Sequence, residues 1–243
     1  MSSHKARTKR YLFWLALVAS LCCLWIARRA ILRQVALGLV VCDAECTADA
    51  VWINASRGIH PDLDQCYERV AARAAAHAGP TDTTVLVTWE RHSRAVEIGV
   101  VPSFFEITKR ELLKRGIPAE SVKPLGVDDG TPRDAARAIK RWLEQHDDAT
   151  VTYLCPRFGS RFWRNVIDDV LGKDAHRVRV VGLADSEYDE SNWWHSRRGV
   201  KDVYRGYVFL LWERAGFVPE REDRTHQTRM DNRGPDASDG EVE

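Results

Sequence analysis

The residues of this chain that could do chemistry gather in five short stretches, each following an apolar run of strand length: Asn54 to Gly58, Trp89 to Arg94, Val127 to Thr131, Pro156 to Arg161 and Asp185 to Arg198. They contain Arg57, Arg91, Arg94, Arg157, Arg161, Arg197 and Arg198. A planar guanidinium matches phosphate and carboxylate oxygens in pairs. Helices that begin after such loops aim their first N–H groups at the same space. The pattern points to an anionic ligand held by Arg57, Arg91, Arg157, Arg161 and Arg197, with Asn54, Ser56 and Thr131 completing the set. The alternative is that loops are exposed and arginine is abundant throughout this sequence.

Carboxylates occupy the same stretches: Glu90, Asp128, Asp129, Asp185 and Glu187. Glu90, Asp128 or Asp185 together with Glu106 would make an acid–base pair. Glu106 has a second explanation, because Ser103-Phe-Phe-Glu106 has the spacing of a capping box. His92 and His195 have no partner at metal spacing, and no paired Cys or His pattern suggests zinc. No metal is expected. Ser56 and Ser160 are candidate nucleophiles, although no G-x-S-x-G elbow frames either. The loop Asn54-Ala-Ser-Arg-Gly58 is not G-x-G-x-x-G, so no dinucleotide cofactor is expected. Net charge is +1, which gives no case for nucleic acid.

The elements that must position these loops follow from periodicity. Ala50 to Ile53 is a continuous apolar run, as in a parallel strand buried on both faces. Further strands are expected at 84–88, 121–125, 150–154 and 178–183. Between them, apolar residues recur at helical spacing: Leu63, Cys66, Tyr67, Val70 and Ala74 mark one helix, and Trp163, Val166, Ile167 and Val170 another. Thr131-Pro132 places an N-cap and an N1 proline at the start of a third. Val200, Val203, Tyr204, Tyr207 and Leu211 mark the last. Strand–helix alternation predicts a Rossmann-like three-layer α/β/α domain with a mainly parallel sheet. Ligands in such sheets bind beyond the carboxyl ends of the strands, where the loops lie.

Upstream, Tyr11 to Ala27 is free of charge, with Lys5, Arg7, Lys9 and Arg10 before it and Arg28, Arg29 and Arg33 after it. Its length is at the short end for one transmembrane helix. Trp25-Ile26-Ala27 is a poor cleavage site, so the helix is expected to remain as a single-pass anchor. The basic excess at the N-terminus places residues 1–10 in the cytoplasm and the domain outside it. The division is then a basic N-terminus at 1–10, a transmembrane helix at 11–27, a neck at 28–47, an α/β domain at 48–218 and a disordered polar tail at 219–243. Of the six cysteines, Cys42 and Cys46 flank a short loop where an extracytoplasmic disulfide would fit. Cys66 and Cys155 read as small buried apolar residues.

The order of these features resembles the SanA/ElyC/YdcF family of bacterial envelope domains. A basic start, a membrane helix, a Leu-Gly neck and Ala48-Asp-Ala-Val-Trp-Ile53 lead into Glu106-Ile, Gly116-Ile-Pro118, Thr131 and Asn192-Trp193-Trp194-His-Ser-Arg-Arg-Gly199. The likeness spans roughly Ala48 to Phe217, and the Trp-Trp box is its most specific part. Departures are clear. The family's two glycine loops are here Asn54-Ala-Ser and Trp89-Glu-Arg. The segment between Cys155 and Arg164 contains no histidine, and Arg157 and Arg161 stand there instead. The resemblance implies a Rossmann-like domain held in the bacterial inner membrane, involved in envelope integrity and cell-wall biogenesis.

Three functions remain open at this stage. The first is an accessory protein that binds a phosphate-bearing lipid or sugar precursor, with envelope-synthesis proteins as partners. The second is a hydrolase or transferase acting on lipid-linked cell-wall precursors. The third is a structural partner of another membrane protein, with Trp193 and Trp194 as the contact. In the first, one tryptophan packs against the domain and Trp194 lines the crevice beside Arg197.

Overall fold

A computed structural model describes residues 2–43, 48–55, 62–76, 84–90, 96, 99–100, 102–127 and 130–216; at 2–12, 24, 62–63, 75–76 and 89–90 it describes backbone alone. Among the described residues five strands, β1 (Ala50–Asn54), β2 (Thr84–Glu90), β3 (Val122–Val127), β4 (Val151–Pro156) and β5 (Val178–Leu183), form one sheet in the order β3-β2-β1-β4-β5. Every pairing is parallel. Helix α1 (Ser2–Leu37) precedes them; α2 (Asp62–Ala76), α3 (Phe104–Lys114), α4 (Pro132–Glu144), α5 (Ser160–Leu171) and α6 (Arg197–Arg214) lie between and after the strands.

The strand side chains alternate between two cores, as the two-residue period requires. Trp52, Leu86, Tyr153 and Val180 face α4, α5 and α6. Val51, Ile53, Val87 and Leu154 face α2 and α3. The result is the expected α/β/α sandwich. Its helix starts follow the sequence: Ser103 and Glu106 form a reciprocal capping box at α3, and Thr131 caps α4 ahead of Pro132. At the sheet edge, β3 exposes Lys123 and Pro124, residues that discourage further strand addition.

The chain after α1 is woven into the domain rather than set apart as a neck. Ala36 and Leu39 are fully buried in the core shared with α5 and α6. The carbonyl of Leu39 accepts from the Arg161 backbone N–H at 3.1 Å, and Val41 donates to Ser160 Oγ at 2.8 Å. Asp43 then covers the outer edge of β5: its N–H donates to Val180 O, and its carboxylate accepts from Val180 N at 2.8 Å. The chain therefore enters at the carboxyl end of the sheet and runs down beside β5 before starting β1.

One reading changes. Only Val203 of the apolar set marked on α6 is buried; Val200, Tyr204 and Leu211 are exposed, and the inner face is Gly199, Val203, Gly206 and Leu210. The helix packs closely through glycines, which a search for large apolar residues passes over. For α1, no single helix among the described residues is long and apolar enough to cross a membrane. Phe13–Cys23 and Trp25–Leu37, which meet at 44°, satisfy length and composition only as a pair. Cys46 and residues 217–243 lie outside the described residues, so neither the Cys42–Cys46 pairing nor the tail can be placed; Cys42 is exposed.

Candidate functional site

Strand order reverses between β1 and β4, and the chain leaves their carboxyl ends in opposite directions. That switch point opens a crevice outside the sheet. A cavity of about 190 Å³ occupies it. Its walls come from the ends of three strands (Asn54, Leu154, Pro156, Leu183), from the turn Arg157–Gly159, and from α5 and α6. The surface is mostly apolar and aromatic: Tyr153, Phe158, Phe162, Trp163 and Phe209 all contribute.

These rings hold one another in place. Trp52 lies buried beneath, 4.1 Å from Tyr153, with its indole N–H donating to Thr88 Oγ1 at 2.9 Å. Trp163 meets Tyr153 edge-on at 4.8 Å, and Phe162 contacts Phe209 of α6 at 5.5 Å. Such pairs add a modest attraction beyond the area they bury, about 0.5–1.5 kcal/mol each. The wall is consequently pre-formed.

The polar groups at the crevice are matched with one another. Arg157 donates through Nε to Glu190, which is 8% exposed, so a nearly buried carboxylate is neutralised by an arginine of the wall. Asp185 accepts from the Glu187 N–H at 2.8 Å and pairs with Arg198 at 3.1 Å. The Tyr188 hydroxyl donates to Asp202, and Arg205 approaches the same carboxylate at 3.8 Å. Burial, reinforced by Asp202, pushes the Tyr188 hydroxyl far above its ordinary range, so it stays a donor across physiological pH.

The sequence-derived candidates fall into three groups. Asn54, Arg157 and Asp185 line the crevice. Ser56, Arg57, Arg91 and Asp128 lie outside the described residues, as does the side chain of Glu90. The remainder have structural duties. Thr131 Oγ1 accepts from Asp134 N at 3.1 Å in capping α4. Glu106 closes the α3 cap and is exposed. Arg161 Nη2 donates to Val40 O at 3.3 Å, while its buried Nε has no partner among the described residues. Ser160 is fully buried, its Oγ donating to Arg157 O at 2.7 Å and accepting from Val41 N, which is a clamp and not an exposed nucleophile.

The pairing of Asp185 with Glu106 does not survive. Glu106 belongs to the β2–β3 side of the sheet and Asp185 follows β5; β2 and β5 are three strand spacings apart, about 14 Å. Trp193 is nearly buried and donates from Nε1 to Leu32 O at 3.0 Å, clasping α1 to the domain. Trp194 is half-buried, perpendicular to it at 6.0 Å, and is not among the residues around the cavity. Arg197, the first residue of α6, is exposed.

Sequence reasoning missed Tyr188, Glu190, Asp202, Arg205 and the aromatic wall. In sequence Trp163 marks only a helix and Tyr153 falls within a strand, nothing singles out Phe158, Phe162 or Phe209, and Asp202 and Arg205 lie within α6 rather than in a loop. Among the described residues no three His, Cys, Asp or Glu side chains converge as a metal site. Compared with models of known families, with characterised proteins and with solved structures, the chain has no match.

Proposed function

We propose that this protein is a single-pass membrane-anchored domain of the bacterial cell envelope. It sits outside the cytoplasm and binds a phosphate-bearing lipid or sugar precursor at the switch-point crevice. The observation that carries the reading is the crevice itself: a pre-formed apolar cavity beyond the carboxyl ends of β1, β4 and β5, with Arg157 and Arg205 among its lining residues. Membrane attachment is supported by α1, whose described side chains from Phe13 to Ile31 are all exposed although many are large and apolar. A helix that is apolar all round and lacks protein partners is stable where lipid replaces water.

The test is ligand binding by the full chain in lipid nanodiscs, with isoprenyl phosphate and hexose 1-phosphate as probes. Charge-assisted hydrogen bonds contribute roughly 1.5–3 kcal/mol each. Arg205→Ala should therefore weaken binding by about tenfold or more, at 1.4 kcal/mol per decade. Failure of every phosphate-bearing probe to bind would overturn the proposal.

A further inference from the structure

Resting on that reading, we infer that the crevice receives the hydrocarbon chain of a membrane lipid, while the anionic head stays at the rim. Three independent features lead there.

The first is the chemistry of the lining. Phe158, Phe162, Trp163, Leu183 and Phe209 present carbon to the cavity. The charged groups beside them are already neutralised from within the protein, Arg157 by Glu190 and Asp185 by Arg198. A sugar or phosphate seated in the depth would lose its water and break these pairs. A hydrocarbon loses only unfavourable contact with water.

The second is size. An apolar cavity of about 150 Å³ stays dry and takes up a benzene-sized guest. A cavity of about 190 Å³ with this lining holds a short stretch of acyl or isoprenoid chain, not a whole lipid. The head is then left at the mouth, where Arg205 is 41% exposed and shares Asp202 with Tyr188.

The third is position. Helix α1, free of charge from Tyr11 to Ala27, joins the domain through its C-terminal end on the same side of the sheet as the crevice. Leu39 packs on Gly206, where a Cβ would come within 2.9 Å of a Leu39 methyl and 2.6 Å of Phe158 O. Gly206 and Phe158 both line the cavity. The Tyr207 hydroxyl, next along α6, donates to Val35 O at 2.6 Å. One layer of α6 thus separates the crevice from the chain that emerges from α1, and a lipid chain need travel only a short way to enter.

The experiment is photocrosslinking in the full chain reconstituted in nanodiscs, with alkyl phosphates carrying a diazirine either at the chain terminus or beside the head. The terminal diazirine should label Phe162, Trp163 or Phe209, and the head-proximal one the region of Arg205. Leu183→Trp, which fills the cavity, should suppress terminal labelling severalfold. On the unsubstituted protein, uncharged alkanols should compete, each added methylene strengthening competition by up to about fourfold until the cavity is full. This arm needs no variant to fold. Terminal labelling confined to Phe13–Ile31 would show ordinary bilayer contact and overturn the inference. So would full competition by inorganic phosphate with none by alkanols, an outcome that leaves the phosphate-binding proposal standing. Absence of crosslinking and of phosphate binding together would overturn both.

Discussion

At the scale of single residues, Arg157 and Glu190 show why the arginine pattern reads differently in three dimensions. In sequence they are thirty-three positions apart, and each looks like a solvated loop charge. In the fold Glu190 is nearly buried, and removing Arg157 alone would leave its carboxylate without a counter-charge. Arg157→Ala should lower unfolding free energy by about 1.5–3 kcal/mol. Arg157→Ala/Glu190→Gln should lose less than the sum of the two single changes, because each single change strands its partner. Urea unfolding of the four proteins measures the coupling, and strict additivity would show that the pair is only solvated.

Asp49 belongs to the same scale. It accepts from both Thr150 N at 2.7 Å and Thr150 Oγ1 at 2.9 Å, fastening the start of β1 to β4. The backbone hydrogen bond from Thr150, acting against a smaller desolvation, holds its carboxyl below the usual aspartate range. A carboxylate lowered on folding stabilises above its unfolded pKa and loses that contribution as pH falls. Asp49→Asn should therefore lower the melting temperature at pH 7. The difference from the parent should shrink as pH falls through about 4 and below. Melting curves across that range provide the check; a constant difference would mean the hydrogen bonds act without the charge.

At the scale of elements, α6 is the part whose reading changed most. Its inner face is set by close approach. A Cβ at Gly199 would meet Trp193 O at 2.5 Å and one at Gly206 would meet Phe158 O at 2.6 Å, both backbone atoms that cannot swing aside. Overpacking of this kind costs about 1–3 kcal/mol, so Gly206→Ala should destabilise the domain and also disturb the crevice wall. The Trp-Trp box fits the same picture. Trp193 bonds to Leu32 O and packs in the core, and Trp193→Ala should cost about 3–5 kcal/mol. Trp194 is half-buried and should cost clearly less. Equal losses in thermal unfolding would make the box a single structural unit.

At the scale of the whole molecule, the segment after α1 belongs to the domain's core, and this ties α1 to the folding of the domain. Leu39 is buried to 1% between α6 and the turn before α5. Leu39→Ala should destabilise by about 2–5 kcal/mol, as for other buried leucines. A shortened chain beginning at Ala48 should be far less stable than the full one, and hydrogen exchange along β5 should rise because Asp43 no longer covers its edge. Unchanged exchange at Val180 would show that the segment only decorates the sheet. The proposed topology has its own check: a reporter fused after Glu243 should be active only in its exported form.

The sequence by itself determined the elements and their class. All five strands and the α3 and α4 caps follow from local signals: continuous apolar runs, helical periodicity, Ser103-Phe-Phe-Glu106 and Thr131-Pro132. Such signals act over a few residues and survive without knowledge of the fold. It also located the loops at the carboxyl ends, because in a parallel sheet that edge follows from chain direction alone. What only the tertiary structure decided is which groups meet. Arg157 finds Glu190, Tyr188 finds Asp202, and Arg161 and Ser160 hold the segment after α1. The aromatic wall assembles from β4, the turn that follows it, α5 and α6, whose one-dimensional patterns say nothing about a shared cavity. Periodicity fixes which face of an element is buried. Which side chains from separate elements then converge depends on sheet order and close glycine packing, and neither is written in any local stretch of the chain.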